Sequence, residues 1–223
     1  MLGYQTMKRL FDIVIASLAL LVTCPLILIG ALAVKLTSPG PAFYLAKRAG
    51  LAGKPFYMLK LRSMRIGTDA LERRVTAARD DRITAVGALL RKFKIDELPQ
   101  LWNVLRGDMS IVGPRPEDWD IVERHFTREQ RRILEVRPGI ACPVDLRWYP
   151  DLTYHDPPPQ GIPPQEWYVD RHLPIQVAEA MCYVEQGSLL LDLKVIVQTI
   201  FCILLHSWRP PKKRPLALEQ RHG

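Results

Sequence analysis

From Ile13 to Val34 the chain runs 22 residues without a charged side chain. At ~1.5 Å per residue such a run reaches about 33 Å as a helix, the thickness of the bilayer hydrocarbon. It is too long for the apolar core of a secretory signal, and no small-residue cleavage site follows it before the next basic cluster. Pro25 lies near its middle, where it removes a backbone donor and kinks a helix. Lys8 and Arg9 precede the run, and Lys35, Lys47 and Arg48 follow it. Positive charge at both ends gives a straight span no preferred orientation, whereas a helical hairpin returning to the cytoplasmic face would show this symmetry. Spacing alone leaves a kinked span and a re-entrant hairpin equally open.

The 223 residues suffice for one domain, or one domain with appendages, and can bury a sizeable core. A net charge of +8 favours anionic partners: nucleic acid, phosphorylated metabolites or anionic lipid headgroups. Cys24, Cys142, Cys182 and Cys202 are scattered and form no Cys-x-x-Cys pair or Cys/His cluster. That pattern fits a reducing compartment and argues against a disulfide frame or a zinc site.

After the breaker cluster Ser38-Pro39-Gly40-Pro41, two short apolar-aromatic runs flank a Gly50/Gly53 loop and predict a β-hairpin. Helices are expected over Leu71–Arg79 and Val86–Phe93, and over Gln100–Arg106 between Pro99 and Gly107. A Thr127/Gln130 capping box predicts a further helix over Arg128–Val136. The proline-rich stretch Asp156–Pro164 reads as a loop. In the last element, Ser188 to His206, Asp192, Lys194 and Gln198 interrupt the apolar run, which suits an amphipathic helix lying on a membrane better than a span. The expected class is α-rich α+β: a re-entrant membrane helix over residues 1–36, a small β-hairpin, a compact catalytic region over 37–187, an interfacial helix over 188–206 and a basic tail over 207–223. The interfacial helix could equally serve a homodimer.

Two acids, Asp96 and Glu97, stand together among Arg91, Lys92 and Lys94. Acids before Pro99 also suit a helix N-terminus, so a capping role competes with a catalytic one. Adjacent carboxylates among cations can hold a divalent ion and present a nucleophilic oxygen to a phosphate. Gly113-Pro114-Arg115-Pro116 holds one arginine between two prolines, so its bidentate fork is presented with little conformational freedom; a rigid turn with a solvated arginine is the plainer reading. Lys60 and Arg62 on the second hairpin strand either face this site or lie on a solvated strand face. Interleaved aromatic and basic residues, or a recognisable reader module, would mark a nucleic-acid-binding protein; neither is present.

Asp81-Arg82-Ile83-Thr84, Arg91, the run from Asp96 to Pro116 (DELPQLWNVLRGDMSIVGPRP) and Arg137-Pro138-Gly139-Ile140 together closely resemble the bacterial sugar transferase family, the monotopic phosphoglycosyl transferases. The early KRLFDIVIASLALLVTCP and the closing Tyr183, Ser188, Asp192-Leu193-Lys194 and Thr199 are similar too. The resemblance implies a re-entrant helix bent at Cys24-Pro25, entering and leaving on the cytoplasmic face of the bacterial inner membrane. It implies a phosphosugar transferase with a UDP-sugar donor, a polyprenyl (undecaprenyl) phosphate acceptor and inner-membrane lipids around it. Asp96 would be the nucleophile and Glu97 the Mg²⁺ ligand, with Arg91 and Arg115 on phosphate. A catalytically inactive scaffold for glycan assembly is the alternative that intact acids and arginines disfavour. Two departures stand out. Cys24-Pro25 replaces the family's common Ser-Pro step. Ala141 to Trp148 replaces a Thr-Gly-led loop, with Arg147 the candidate for its basic residue.

Overall fold

The apolar run is helical from end to end in the computed structural model of the chain, which describes residues 2–67, 80–148 and 156–208. Helix α1 (Leu2–Thr37) continues through Cys24-Pro25. Thr23 Oγ1 donates to the carbonyl of Ala19 at 2.7 Å, a back-bond that eases a bend next to a proline. The hydroxyl that Cys24 lacks is thus present one residue earlier.

One stripe of α1 faces the rest of the chain along its whole length. Lys8, Asp12, Ala16, Ile27 and Val34 are buried, while Leu18, Leu21, Val22, Leu28, Ile29 and Leu32 are exposed on the other side. Tyr4–Thr37 is the one stretch among the described residues long and apolar enough to cross a bilayer. Both of its ends are nevertheless fastened to one body. Arg9 donates to the carbonyls of Val104 and Leu105 at 2.6 and 2.9 Å. Ile27 and Val34, both beyond Pro25, pack with Leu61 and Leu90. Lys35 Nζ reaches the carbonyl of Gly40 at 3.1 Å.

The hairpin forms as expected, with β1 (Phe43–Ala49) antiparallel to β2 (Pro55–Leu61) and Tyr44 opposite Lys60. Helix α2 (Ala85–Lys92) is capped by Thr84, whose hydroxyl accepts from the Gly87 amide. Helix α3 (Gln100–Arg106) ends on Gly107 at φ 93°, the left-handed C-terminal glycine read from the sequence. Asn103, within α3, accepts from the Leu59 amide and donates to the Tyr57 carbonyl, tying α3 to β2. The Thr127/Gln130 box closes reciprocally, at 2.8 and 3.2 Å. It caps a six-residue 3₁₀ segment, Gln130–Glu135, and not the α-helix expected over Arg128–Val136. Val136 must already be extended to lead Arg137-Pro138 onward, which leaves no room for further α-turns. The helix expected over Leu71–Arg79 and the basic tail lie outside the described residues.

A second, parallel sheet was not legible in the sequence: β3 (Ser110–Val112) beside β4 (Gly139–Ala141). Between them lies α4 (Trp119–His125), and after β4 come α5 (Pro143–Arg147), α6 (Pro164–Trp167), a π-turn over Tyr168–His172, α7 (Leu173–Gln186) and α8 (Leu189–Trp208). This sheet joins the two motifs. A Cβ on Gly139 would stand 2.1 Å from the Gly113 amide nitrogen, and one on Gly113 would stand 2.4 Å from the Arg137 carbonyl oxygen. Both glycines are therefore required by backbone contact, and they carry Arg115 to a defined place. Gly139→Ala is expected to cost about 3 kcal/mol, the upper range for overpacking, because the obstruction is backbone and cannot rotate away. A fall in thermal midpoint of roughly 6–12 °C would register it; an unchanged midpoint would mean the two motifs tolerate separation.

Helix α8 corrects the reading of Asp192 as an interruption, while Lys194 and Gln198 lie exposed among its apolar residues. Asp192 is fully buried, while Leu190, Leu193, Val197, Phe201 and Leu204 face outward. Its carboxylate accepts from Tyr183 at 2.7 Å and from Tyr4 at 3.3 Å, and lies 3.4 Å from Lys8 Nζ. Lys8 also pairs with Asp12 at 2.7 Å. Asp12 in turn accepts from the Ser110 hydroxyl and the Ile111 amide. The charges at the head of α1 thus bind it to β3, α7 and α8 and do not face lipid. The outward sides of α1 and α8 form an apolar surface of the kind that marks membrane contact.

Candidate active site

The chain leaves α2 through Phe93 and turns sharply at Lys94, whose φ of 56° puts a non-glycine residue in the left-handed region. Such strain of order 1–3 kcal/mol persists where the surroundings impose it, and it concentrates at functional sites. The 3₁₀ turn Ile95–Glu97 follows and aims the two acids differently. Asp96 is 5% exposed and opens into a cavity of about 530 Å³ with Arg91 and Lys60 on its wall. Glu97 faces a second cavity of about 190 Å³, beside Arg91, Arg115, Lys60 and Arg48. Lys60, Arg91, Arg48 and Asp118 line both, so the two spaces share one cationic wall.

The electrostatics divide the pair. Burial pushes the Asp96 carboxyl up, and neighbouring Glu97 pushes the same way, against Lys60, Lys94 and Arg91. Burial also pushes Glu97 up, but Lys60, Lys94 and Arg115 outweigh it and hold its carboxyl well below the ordinary range. The Glu97 Oε1 atom lies 3.2 Å from Lys60 Nζ and 3.7 Å from Lys94 Nζ. Two adjacent acids with opposite shifts have different tasks available to them. Asp96 Oδ1 is buried without a hydrogen-bond partner among the described residues, a costly state unless something binds it.

Among the described residues no three His, Cys, Asp or Glu side chains group to hold a metal. Mg²⁺ is commonly held by one or two carboxylates and completed by substrate phosphates, which Asp96 Oδ1 and Glu97 can satisfy. The donor set therefore fits a magnesium–phosphate complex.

Of the arginines read from the sequence, Arg91 and Arg115 reach this site and Arg147 does not. Arg115 Nη1 donates to both oxygens of Asp145, at 2.9 and 3.0 Å. Arg147 pairs with Glu179 of α7, with a side chain 62% exposed, and lines neither cavity. Its position at the end of the short helix α5 turns it outward. Lys60 faces the acids, whereas Arg62 is buried against Ser38 and Pro39, donating to their carbonyls at 2.9 and 2.6 Å. Several lining residues escaped the sequence reading: Arg48, Glu117, Asp145 and Tyr168. Tyr168, held by the π-turn, donates to Glu117 and lies 3.1 Å from Gln176 Oε1. Nothing in their spacing links them, since the sheet β3–β4 and α7 bring them together from distant segments.

A third cavity, of about 190 Å³, lies between α1 and α8 and is chiefly apolar. Ala19, Thr23, Thr199, Cys202 and Ile203 line it, and it ends on Lys94 and Glu97. The Thr199 hydroxyl is buried and unpartnered among the described residues. A polar space and an apolar one thus meet at Glu97, beside the membrane-facing helices.

Two cavities that share a cationic wall, each reaching one of two adjacent carboxylates and set against an apolar helix of spanning length, define a membrane-associated site for anionic substrates. The family described as bacterial sugar transferase matches residues 3–206, and the chain belongs to it. It is 39% identical over 199 residues to a UDP-glucose:undecaprenyl-phosphate glucose-1-phosphate transferase of Caulobacter vibrioides, covering 88% of this chain and 69% of that one. It is 43% identical over 143 residues to a UDP-N-acetylgalactosamine-undecaprenyl-phosphate N-acetylgalactosaminephosphotransferase of Aeromonas hydrophila, covering 62% of this chain and 33% of the relative. The exopolysaccharide production protein ExoY of Rhizobium meliloti is 36% identical over 213 residues, 89% of this chain and 85% of its own.

Proposed function

We propose that the chain transfers a sugar 1-phosphate from a UDP-sugar to a polyprenyl phosphate, as an opening membrane step of polysaccharide or glycoconjugate assembly. The observation that carries this reading is the pair of adjacent, oppositely perturbed acids on a shared cationic wall, with Glu97 where the polar and apolar cavities meet. Asp96 attacks the sugar-bearing phosphorus of the donor. The bond from that phosphorus to the bridging oxygen breaks, and UMP leaves with the oxygen and its electron pair. The product is an aspartyl phosphosugar. An oxygen of the polyprenyl phosphate then attacks the same phosphorus, breaks its bond to Asp96 and restores the carboxylate. Arg91, Arg115 and Lys60 hold the phosphate oxygens and disperse their charge. Glu97 would hold Mg²⁺, which when bound would screen the diphosphate from the attacking Asp96 carboxylate.

The apolar cavity between α1 and α8 takes the first isoprene units of the acceptor, with its phosphate toward Lys94. Helix α1 enters and leaves on the cytoplasmic face of the inner membrane; its attachment to one body at both ends supports this over a free-standing span.

Two tests follow. Removing the Glu97 carboxylate with Glu97→Gln should lower activity about 10²–10³-fold and flatten its dependence on Mg²⁺ concentration; Mg²⁺-stimulated turnover at the original level would remove Glu97 from the metal site. The second concerns pH. Asp96 must be ionised to attack, and its raised pKa makes activity fall, as pH drops, earlier than for an ordinary aspartate. Lys60 favours the ionised form, so Lys60→Met should move the acid limb of kcat/KM to higher pH. A limb that stays in place or moves to lower pH would detach it from Asp96.

A further inference from the structure

Helix α5 carries Asp145 in the stretch where this chain departs from the Thr-Gly-led loop, and the carboxylate meets Arg115 in a particular way. Both of its oxygens are taken by one guanidinium nitrogen, Nη1, at 2.9 and 3.0 Å. Among the described residues Arg115 Nε and Nη2 make no hydrogen bond, and Arg115 lines the cavity that holds Glu97. A bidentate clasp would have occupied two nitrogens of the fork; this end-on clasp leaves one edge of the guanidinium for a substrate oxygen. Asp145 also lines the apolar cavity and lies near enough to Lys94 to favour its charged form, after the larger influence of Glu97. It therefore opposes two of the cations that the donor's phosphates would meet.

We propose that Asp145 is a positioning residue, which orients Arg115 toward the transferring phosphoryl group and limits how tightly the cationic wall retains the leaving UMP. The proposal rests on the transferase reading above. Binding that is equally strong before and after the reaction slows product release without lowering the chemical barrier, so an acid set against the site's cations serves turnover. The two roles separate by substitution. In Asp145→Asn the amide oxygen still accepts from Nη1, but the opposing charge is gone. In Asp145→Ala both are lost.

The experiment measures steady-state kcat and calorimetric UMP affinity on purified full-length protein in nanodiscs, with thermal midpoints alongside. Loss of one charge-assisted contact predicts a kcat about tenfold lower in Asp145→Ala, and loss of the opposing charge alone predicts a smaller fall, roughly threefold, in Asp145→Asn as UMP leaves more slowly. UMP should bind several-fold more tightly to both variants. Unchanged or weaker UMP binding in the two variants overturns the proposal. So does an equal loss of kcat in both that follows a fall in thermal midpoint, since that is the mark of a merely structural contact. UMP binding is read without turnover, so a wild-type protein that releases no UMP from any UDP-sugar sinks the transferase reading while the Asp145 comparison is still decided by affinity.

Discussion

Asp96→Asn should abolish UMP release, by about 10⁴-fold or more, and leave the protein more stable than before. The catalytic loss follows from chemistry: an amide oxygen of similar shape cannot attack phosphorus and leave again as a carboxylate, and removing a nucleophile commonly eliminates nearly all of an enzyme's advantage. The stability gain follows from burial. A carboxyl whose folded pKa lies above its unfolded value adds stability below the unfolded pKa and loses it as pH rises through the folded one. Near neutral pH the ionised Asp96 therefore works against the fold, and Asp96 Oδ1 has no partner among the described residues. A neutral amide removes that penalty; about 1 kcal/mol would raise the thermal midpoint by ~2–4 °C. Activity falling together with stability would make Asp96 a structural residue, as the capping alternative requires.

The second large effect concerns the anchor of α1. Asp12→Ala should destabilise the protein by about 3–5 kcal/mol, the cost of leaving one member of a buried ion pair unmatched. Asp12 is 1% exposed, pairs with Lys8 at 2.7 Å and accepts from Ser110 and Ile111 at 2.8 and 3.1 Å. Its removal leaves an ammonium and the Ile111 amide short of an acceptor in a buried setting, while the Ser110 hydroxyl keeps the Val112 carbonyl at 2.8 Å. Lys8 keeps Asp192 at 3.4 Å, which limits the damage. Since Ser110 and Ile111 belong to β3, the strand that delivers Gly113-Pro114-Arg115, loss of UMP release should accompany early unfolding. Thermal melts in detergent, with limited proteolysis, would register both. A variant melting within 1 °C of wild type would show that α1 is held by its apolar stripe alone.

How much of this was legible depended on the range of the interaction. Pro99 and Gly107 bound α3, the Thr127/Gln130 box closes, and the Gly50/Gly53 loop turns the hairpin, because each signal acts within a few residues. The adjacent acids stood out for the same reason. Long-range pairings left no local mark. Lys8 and Arg9 read as charges flanking a membrane segment, yet one is buried on Asp12 and Asp192 and the other caps the carbonyl end of α3. Asp192 read as a blemish on an apolar helix because the sequence does not show which way a helix will face. Gly113 and Gly139 belonged to separate motifs until β3 and β4 paired. The left-handed Lys94, which sets the direction of the catalytic turn, has no signature in a residue type that rarely adopts that conformation. Arg147 was assigned by its charge and its place within the departing stretch, and only packing against Glu179 shows it turned from the cavity.

The central claim is that Asp96 forms a covalent phosphosugar adduct. It is tested most directly by mixing the protein with a UDP-sugar labelled in the sugar-bearing phosphate, with Mg²⁺ and without acceptor, then measuring UMP release and label on the protein by mass spectrometry. The account predicts a burst of up to one UMP per protein, a matching adduct on the peptide containing Asp96, its discharge on adding polyprenyl phosphate, and none of these in Asp96→Asn. Product formed with acceptor at full rate while no adduct and no acceptor-independent UMP appear would contradict it, and would point to direct attack by the lipid phosphate.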